Sequence, residues 1–316
     1  MTVIIPKKVY KTIIAASTRF ASQKIPKKEW LEVSGIFIGK NEDDDVKISE
    51  AYPIMHQEYD EEAVIDKYKW DDQDMIITSE IETKAYEKGE FIVGWWHSHP
   101  GFKVMMSHID IRTTLSYQQN NPLAVALVFN PERLARQVEL PSKKGDPEKP
   151  LKNDPGFRIF RLDNVNRGIE ASYHPVDYVI LGYDNEEQMA NQAQKFIIEV
   201  TNFFPKDNIF KTYKKFVTKR INELNSKLVG TEQYLQTLKR KGETERIPEV
   251  LQSQKKEIQK YVAETYIKIE NIKEFMDYLE YKERQVVIPK VKEILSEWDE
   301  TLTDLENRLE KLAKIK

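Results

Sequence analysis

Residues 94–110 read GWWHSHPGFKVMMSHID, and this stretch holds three of the five histidines of the 316-residue chain. His97 and His99 stand one residue apart at the end of an apolar run. In an extended strand, residues i and i+2 project to the same face. Pro100 then ends the run, because proline cannot continue a strand ladder. The spacing predicts a strand that delivers two imidazoles to one side of a sheet.

The residues that follow predict a helix with a polar first turn. Ser107 stands where an N-cap is expected, Asp110 lies three residues on, and Ile109, Thr113 and Tyr117 recur at helical spacing. A carboxylate in the first turn can reach back to the two imidazoles. Two imidazoles and one carboxylate are typical protein ligands of a catalytic zinc ion, which keeps a fourth position open for water. The stretch therefore predicts a metal site.

Hydrolytic chemistry at such a site also needs a base and an oxyanion donor. The base accepts the proton of the attacking water, and the donor stabilises the tetrahedral oxyanion. Ser107, one helical turn before Asp110, is placed to donate. Glu32, just before the apolar run at residues 34–40, is the candidate base, whereas Glu29 is interpreted as an exposed charge.

Two patterns in the chain resemble those of the JAMM (MPN+) zinc metalloproteases. Residues 97–110 fit H-x-H-P-x6-S-x2-D, and residues 32–39 fit Glu-x2-Gly-x3-Gly. Within that family the likeness is greatest to the deubiquitinating subunit of the proteasome lid, whose motif also contains HSHPGF after Gly-Trp and an aromatic residue. The likeness covers roughly residues 7–183 by the order of elements.

Carried over position by position, the resemblance implies a role for five residues. These are zinc ligation by His97, His99 and Asp110, activation of the zinc-bound water by Glu32, and oxyanion stabilisation by Ser107. The implied substrate is the isopeptide bond between the C-terminal glycine of ubiquitin, or a ubiquitin-like modifier, and a lysine amine. The chain departs from the lid enzymes at residues 103–105, where it has Lys-Val-Met in place of Gly-Cys-Trp. Residues 103–106, the KVMM loop, are therefore expected to alter the specificity for the modifier.

The pattern of elements predicts an α/β (α+β) domain with one mixed sheet flanked by helices, and the resemblance implies that residues 1–183 form an MPN domain. Four runs have strand length and composition: SGIFIGK (34–40), FIVGWWHSH (91–99), LAVALVFNP (123–131) and FRIFRLDN (157–164). Two segments, 58–74 and 135–156, are interpreted as loops, the second as a long mobile insertion. The first is acidic, and we hypothesise that it attracts the arginine-bearing tail of a modifier.

Residues 184–316 predict an all-α hairpin or bundle, in cis or with another subunit. Three stripes of residues at alternating spacings of three and four form heptad seams. They are Val217, Ile221, Leu224, Leu228, Thr231, Leu235 and Leu238; Ile258, Val262, Thr265, Ile269, Ile272, Met276 and Leu279; and Leu295, Trp298, Leu302, Leu305, Leu309 and Leu312. The expected helix breaks are Pro205, Gly242, Pro248 and Pro289. The tail is a candidate surface for proteasome-type or other MPN subunits.

The composition narrows the classes of partner and of metal site. The chain has 49 basic and 52 acidic side chains, which gives no reason to expect a nucleic-acid or membrane partner. It has no cysteine, so a metal must be held by nitrogen and oxygen. The absence of cysteine is typical of a cytoplasmic protein. No apolar run approaches the roughly 18 residues of a membrane span.

Two alternatives to the isopeptidase stay open at this point. The domain could be a non-catalytic scaffold that recruits modified proteins and assembles through its helices, or a hydrolase of a small amide or a sulfur-carrier adduct. His56, His108 and His174 are interpreted as ordinary core or surface residues rather than ligands. Of Trp95 and Trp96, one is expected in the core and the other is a candidate wall of the substrate groove.

Overall fold

The structure, a computed structural model, divides the chain into two compact units. It describes residues 1–58, 71–141 and 146–313. The first unit comprises Met1–Lys206 with Asp277–Glu283, and the second comprises Asp207–Met276 with Arg284–Lys316. The division of the chain at residues 183 and 184 into catalytic and helical domains stays a prediction.

The first unit is built on an eight-stranded mixed sheet. Its strands, in spatial order, are β10 (Asp177–Leu181), β1 (Thr2–Pro6), β3 (Asp45–Glu58), β2 (Leu31–Glu42), β4 (Phe91–Ser98), β5 (Val125–Phe129), β8 (Phe157–Leu162) and β9 (Tyr173–Pro175). A separate two-stranded ladder joins β6 (Val138–Glu139) and β7 (Lys149–Pro150). The four predicted strands are confirmed as β2, β4, β5 and β8. Central strand β2 runs antiparallel to both of its neighbours, β3 and β4.

Five helices complete the first unit. They are α1 (Lys7–Phe20), α2 (Asp72–Tyr86), α3 (His108–Asn120), α4 (Pro131–Arg136) and α5 (Glu186–Phe203). Helix α3 connects β4 to β5, and these strands are parallel, as expected when a helix forms the crossover. The mixed sheet flanked by helices and followed by a helical tail confirms the predicted fold class.

The glycines of the upstream Glu-x2-Gly-x3-Gly pattern allow close approach of neighbouring strands. A Cβ added to Gly35 would lie 2.2 Å from the carbonyl oxygen of Tyr52 and 2.6 Å from Nε1 of Trp96. A Cβ added to Gly39 would lie 2.0 Å from the carbonyl oxygen of Lys47. Both distances are shorter than van der Waals contact, so these two positions admit no side chain. The glycines therefore belong to the packing of the sheet, and the glutamate alone is left for chemistry.

The end of the predicted acidic loop is a helix start. Asp71 accepts a hydrogen bond from the backbone N–H of Asp74 at 2.7 Å, and Asp74 accepts one from the N–H of Asp71 at 3.2 Å. This capping box satisfies backbone donors at the start of α2, which is why the loop interpretation was wrong for residues 72–74. The other acids that carried the tail-binding hypothesis, Asp60, Glu61 and Glu62, lie outside the described residues.

The second predicted loop, in its described part, is anchored by a buried ion pair. Nε and Nη2 of Arg133 donate to the two carboxylate oxygens of Asp154 at 2.8 and 2.7 Å. Both side chains are buried, and hydrogen bonds from Arg133 hold the pKa of Asp154 below its usual range against the opposing effect of burial. The interpretation of this segment as a long mobile insertion is therefore wrong near Asp154, which is buried and held by Arg133.

The second unit is a three-helix arrangement. Its helices are α6 (Ile209–Lys241), α7 (Ile247–Met276) and α8 (Tyr281–Ala313), the first turn of α8 belonging to the first unit. Thr231 of α6 donates to Gln254 of α7 at 3.2 Å, and Arg308 of α8 donates to Glu232 of α6 at 3.0 Å. No helix in the described ranges combines the length and the apolarity that crossing a membrane requires.

The predicted seams agree with burial except at the start of the third. Every member of the α6 stripe is buried, and so are most members of the α7 stripe. In α8, however, Leu295 is only partly buried, and the seam runs through Val291, Ile294 and Trp298 instead. The spacing alone could not separate Ile294 from Leu295, because adjacent apolar residues fit either seam. The side chains of Leu309 and Leu312 lie outside the described part.

Three of the four predicted helix breaks are confirmed, and the fourth is wrong. Pro205 lies between α5 and α6, Gly242 caps α6 in the left-handed conformation, and Pro248 stands in the first turn of α7. Pro289 lies inside α8, and the chain instead breaks at residues 277–280.

The segment Asp277–Glu283 breaks the helical pattern because it packs as part of the first unit. The guanidinium of Arg19 donates to both carboxylate oxygens of Glu283 at 2.6 and 2.9 Å. Nδ1 of His56 lies 2.6 Å from a carboxylate oxygen of Glu280, which is 1% exposed. Burial of Glu280 beside an imidazole fixes the turn there, and proline chemistry is not needed to end α7.

Replacing Gly35 with alanine is expected to destabilise the first unit by about 1–3 kcal/mol, since overpacking a dense interior carries that cost. Urea unfolding followed by tryptophan fluorescence measures it. Gly230→Ala is the matched control, because nothing lies within 4 Å of a Cβ added on α6 and alanine favours a helix. Equal unfolding midpoints for Gly35→Ala and the wild type would contradict the close approach.

Candidate metal centre

The sheet brings two distant parts of the sequence together at the ends of its central strands β2 and β4. In the antiparallel pairing of β2 with β4, Ser34 lies opposite His97. The start of β2, which carries Glu32, therefore lies beside the end of β4, where His97 lies in the strand and His99 directly follows it. The order of strands thus explains how residues far apart in sequence share one site.

The three predicted ligands converge. Nε2 of His97 lies 3.0 Å from Nε2 of His99 and 3.1 Å from Oδ1 of Asp110, and Nε2 of His99 lies 3.5 Å from Oδ2 of Asp110. For a tetrahedral zinc ion with bonds of about 2.0–2.1 Å, neighbouring ligand atoms are about 3.3 Å apart. The three side chains therefore fit one metal ion, and they form the one such group among the described His, Asp and Glu residues.

Burial and charge prepare these groups for a cation. His97 and Asp110 are fully buried and His99 is 8% exposed. Burial opposes ionisation of the Asp110 carboxyl, but the charges and hydrogen bonds of the two histidines outweigh it and hold its pKa well below the usual range. Oδ1 of Asp110 has no well-directed hydrogen-bond donor among the described residues, although His97 is near. An anionic oxygen in such surroundings is available to a metal ion.

The carboxylate is placed by the first turn of α3. Oγ of Ser107 accepts a hydrogen bond from the N–H of Asp110 at 3.2 Å, and Oδ2 of Asp110 accepts one from the N–H of Ser107 at 2.6 Å. This capping box confirms the predicted N-cap. Because the Ser107 oxygen serves the cap as an acceptor, its O–H proton stays available for donation to another group. One serine can thus hold the ligand and act as a donor.

Outer contacts orient the two imidazoles. Nδ1 of His99 lies 3.2 Å from the carbonyl oxygen of Lys103 and can donate to it, which leaves Nε2 as the nitrogen on the Asp110 side. Burial lowers the pKa of His99, and hydrogen bonding and the charges of Asp110 and Glu32 raise it overall. The Trp95 ring stacks on the His97 ring at 4.5 Å between centroids and 8° between planes. Sequence reasoning missed both contacts, although the i, i+2 spacing of Trp95 and His97 was a usable signal.

The KVMM loop is largely a structural element. Val104 and Met106 are buried in a hydrophobic cluster that includes Trp95, and only Met105, at 46% exposed, is open to solvent among its three apolar side chains. The Lys103 carbonyl contacts His99 as described above. The loop therefore supports the ligands from behind, and what it offers a substrate directly is reduced to the side chains of Lys103 and Met105.

Neither tryptophan of the strand walls a groove. Trp95 is 1% exposed and Trp96 is fully buried, so the expectation of one tryptophan in a substrate groove was wrong. The reason is the central position of β4, which has strands on both of its sides and packing on both of its faces. Trp96 packs over Gly35, where a larger residue would exclude it.

The remaining acid and histidine candidates separate as the sequence predicts. Glu32 is 5% exposed and acts on the pKa of His99, whereas Glu29 is exposed on a 3-10 turn. His108 is exposed at the start of α3, and His174 pairs with Asp163 at 2.6 Å. Glu32 is thus the acid whose charge reaches the ligands, and the two histidines take no part in the centre.

Comparison with known proteins identifies the class. Residues 1–123 match the family described as JAB1/Mov34/MPN/PAD-1 ubiquitin protease. The matched range contains both sequence patterns and all five candidate site residues. This match confirms the resemblance to the JAMM/MPN+ family over residues 1–123.

Individual relatives are similar over the same part of the chain. COP9 signalosome complex subunit 5a of Arabidopsis thaliana is 32% identical over 155 residues, which are 48% of this chain and 42% of that protein. The 26S proteasome regulatory subunit rpn11 of Schizosaccharomyces pombe is 35% identical over 104 residues, 32% of each. The ubiquitin carboxyl-terminal hydrolase RPN11 of Saccharomyces cerevisiae is 34% identical over the same length and shares. The matches thus span less than half of each relative.

The metal centre predicts binding of one zinc ion per chain. His97→Ala and Asp110→Ala are each expected to weaken zinc affinity by more than about 100-fold, since outer contacts alone are worth 10- to 100-fold. Competition with a chromogenic chelator measures the affinity. His108→Ala, which removes an exposed histidine close in sequence, is expected to bind like the wild type. If His97→Ala holds zinc as tightly as His108→Ala, the three ligands are assigned wrongly.

Proposed function

We propose that this protein is a zinc-dependent isopeptidase that removes ubiquitin or a ubiquitin-like modifier from lysine side chains. The observation that carries the proposal is the buried convergence of His97, His99 and Asp110 beside Glu32, where the end of β4 meets the start of β2. The similarity to a protein named ubiquitin carboxyl-terminal hydrolase supports the substrate class. Because the match covers part of each relative, activity, substrate and partners all belong to the proposal.

The metal supplies one part of the chemistry. A zinc ion held by the two histidines and the aspartate would lower the pKa of water at the site to about 7 and would polarise a carbonyl. All ligand atoms come from nitrogen and oxygen groups, as the lack of cysteine requires. Asp110 contributes a negative charge that survives at neutral pH because its pKa is held low.

The chain's own residues supply proton transfer and charge stabilisation. Glu32 accepts a proton from water as the water oxygen bonds to the isopeptide carbonyl carbon. The Ser107 O–H donates to the oxygen that becomes negative. Glu32 then returns the proton to the lysine nitrogen as the C–N bond breaks, so that the products are a modifier carboxylate and a free amine. Each group is fixed by backbone: Glu32 by β2 and Ser107 by the α3 cap.

Assembly with other subunits is the second part of the proposal. Two of the relatives are named as subunits of the COP9 signalosome and of the 26S proteasome. Helices α6, α7 and α8 of this chain are about 30 residues long each. Their heptad seams bury apolar residues within the second unit. We propose that the outer faces of these helices contact further subunits.

Glu32→Gln is expected to keep zinc and lower kcat by about 100- to 10,000-fold, because the amide cannot accept the proton. The measurement is cleavage of a ubiquitin tail joined through an isopeptide bond to a fluorescent lysine peptide. Glu29→Gln is the matched control, an exposed glutamate three residues earlier. Equal turnover of Glu32→Gln and Glu29→Gln would show that the base has been misassigned.

The scaffold alternative is decided by the same substrate. If the zinc-loaded wild-type protein binds the conjugate but does not cleave it, and chelator changes nothing, the protein is a non-catalytic scaffold. Isopeptidase activity that is lost with chelator and with His97→Ala supports the proposal. Modifiers that differ only in the last tail residues then identify the one that is preferred.

Two variants of Ser107 separate its role as a hydrogen-bond donor from its role as the N-cap of α3. Ser107→Ala removes both and is expected to cost about 1 kcal/mol of stability, whereas Ser107→Gly costs only a few tenths because glycine is an acceptable N-cap. Loss of the oxyanion donor is expected to lower kcat by about 100- to 1,000-fold in both variants. Activity that follows stability, with glycine close to wild type, would reduce Ser107 to a helix cap.

A further inference from the structure

At the candidate metal centre, the contact between β2 and β4 changes from backbone pairing to a hydrogen bond with a side chain. The backbone ladder between the two strands ends with the pair Ser34 and His97. Beyond it, the backbone N–H of Val33 donates to the hydroxyl oxygen of Ser98 at 2.9 Å. Val33 and Ser98 are both fully buried. A side chain therefore continues the join between the strands where the backbone pairing has stopped.

This change has a cause in the path of β4. The end of β4 is paired with β5, where Ser98 lies opposite Phe129, and the N–H of His99 donates to the Phe129 carbonyl at 2.7 Å. The backbone there bonds toward β5, and the Ser98 hydroxyl supplies the acceptor toward β2. Without that hydroxyl, a buried N–H would lose its acceptor on this side, and leaving such a group unsatisfied is costly.

Val33 is the residue directly after Glu32. Its other neighbour strand, β3, pairs Val33 with His56 and Glu32 with Gln57, and the register of β2 on β3 shifts between Ser34 and Gly35. Residues 31–34 pair with β3 in regular register, so the start of β2 is held on that side by a backbone ladder. On the other side, the bond from Val33 to Ser98 continues the tie to the ligand strand beyond the Ser34–His97 pair.

We propose that Ser98 is a positioning residue that holds Glu32 at the metal centre through the backbone of Val33. The inference rests on the proposed role of Glu32 as the base. Ser98 lies between two ligands in sequence, yet its hydroxyl bonds to β2 and not to a ligand. It thus converts the histidine strand into a support for the base on the neighbouring strand.

The structural link is tested first, without a substrate. Hydrogen–deuterium exchange of the zinc-loaded protein is followed in peptides that cover the start of β2. Ser98→Ala is expected to speed exchange there at least about tenfold, because Val33 loses its acceptor. Ser98→Thr, which keeps a hydroxyl, is expected to restore slow exchange. Ser17→Ala is the control, an equally buried serine on α1 whose hydroxyl has no partner among the described residues.

The catalytic consequence is tested with the isopeptide substrate. Ser98→Ala is expected to lower kcat by roughly 10- to 100-fold with KM and zinc affinity within about threefold of wild type, because a misplacement near 1 Å can cost 100-fold. Ser98→Thr is expected to recover most of that loss. In a Glu32→Gln background, Ser98→Ala is expected to add less than about threefold, since a positioning residue has no effect without the group it positions.

The outcomes separate this inference from the proposed function. Unchanged exchange at β2 in Ser98→Ala overturns the positioning role, whatever the substrate. Unchanged kcat in Ser98→Ala, with Glu32→Gln inactive, overturns it and leaves the isopeptidase proposal standing. An active Glu32→Gln variant overturns the assignment of the base and the positioning of it together. Lost zinc in Ser98→Ala would instead show that Ser98 acts on the ligands, which also contradicts the inference.

Discussion

The antiparallel pairing of β2 with β4 is the constraint on which the site depends. It places the first residues of one strand against the last residues of the other, so the proposed base and two proposed metal ligands meet although many residues separate them. The pairing tolerates no side chain at Gly35, where Tyr52 and Trp96 lie too close. A requirement of strand packing and a requirement of chemistry are thus met by the same twelve-residue strand.

The candidate site also depends on the balance of charge around the three proposed ligands. A buried carboxylate is costly unless nearby groups compensate it, and Asp110 is compensated by two imidazoles and by the N–H of Ser107. The two Nε2 atoms lie only 3.0 Å apart. Without a metal ion between the three side chains, a single proton shared by the two nitrogens would have to hold them this close, so the arrangement favours a cation there. The sheet supplies the histidines, and the helix supplies the carboxylate at its electropositive end.

The convergence of side chains at the candidate site follows from the sequence more completely than the fold around it does, and the roles of these residues stay predictions. Local spacing was enough for His97, His99, Ser107 and Asp110, because a strand and a helix N-terminus have fixed geometry over a few residues. Glu32 needed the family resemblance in addition, since spacing cannot show which strands become neighbours. The contact of the Lys103 carbonyl was missed because it depends on packing that short-range patterns do not encode, whereas the i, i+2 spacing that puts Trp95 and His97 on one face was overlooked.

The errors in the helical region have a common physical origin. Pro289 suggested a break and lies inside α8, while Leu279, assigned to the second seam, lies in the turn between α7 and α8. Helix propensity is a weak preference that tertiary contacts override. Here the overriding contacts are the pairs of Arg19 with Glu283 and of His56 with Glu280, which fix this turn within the first unit.

The same turn bears on the site through the strands. His56, the partner of Glu280, lies opposite Val33 in the β2–β3 ladder, and Val33 is the residue whose N–H bonds to Ser98. The start of β2 is therefore held on one side by a strand that the Asp277–Glu283 segment contacts, and on the other by the ligand strand. Side chains reinforce the pairing on both sides at the residue that follows Glu32, so the placement of that carboxylate is determined by contacts well outside the group of metal ligands.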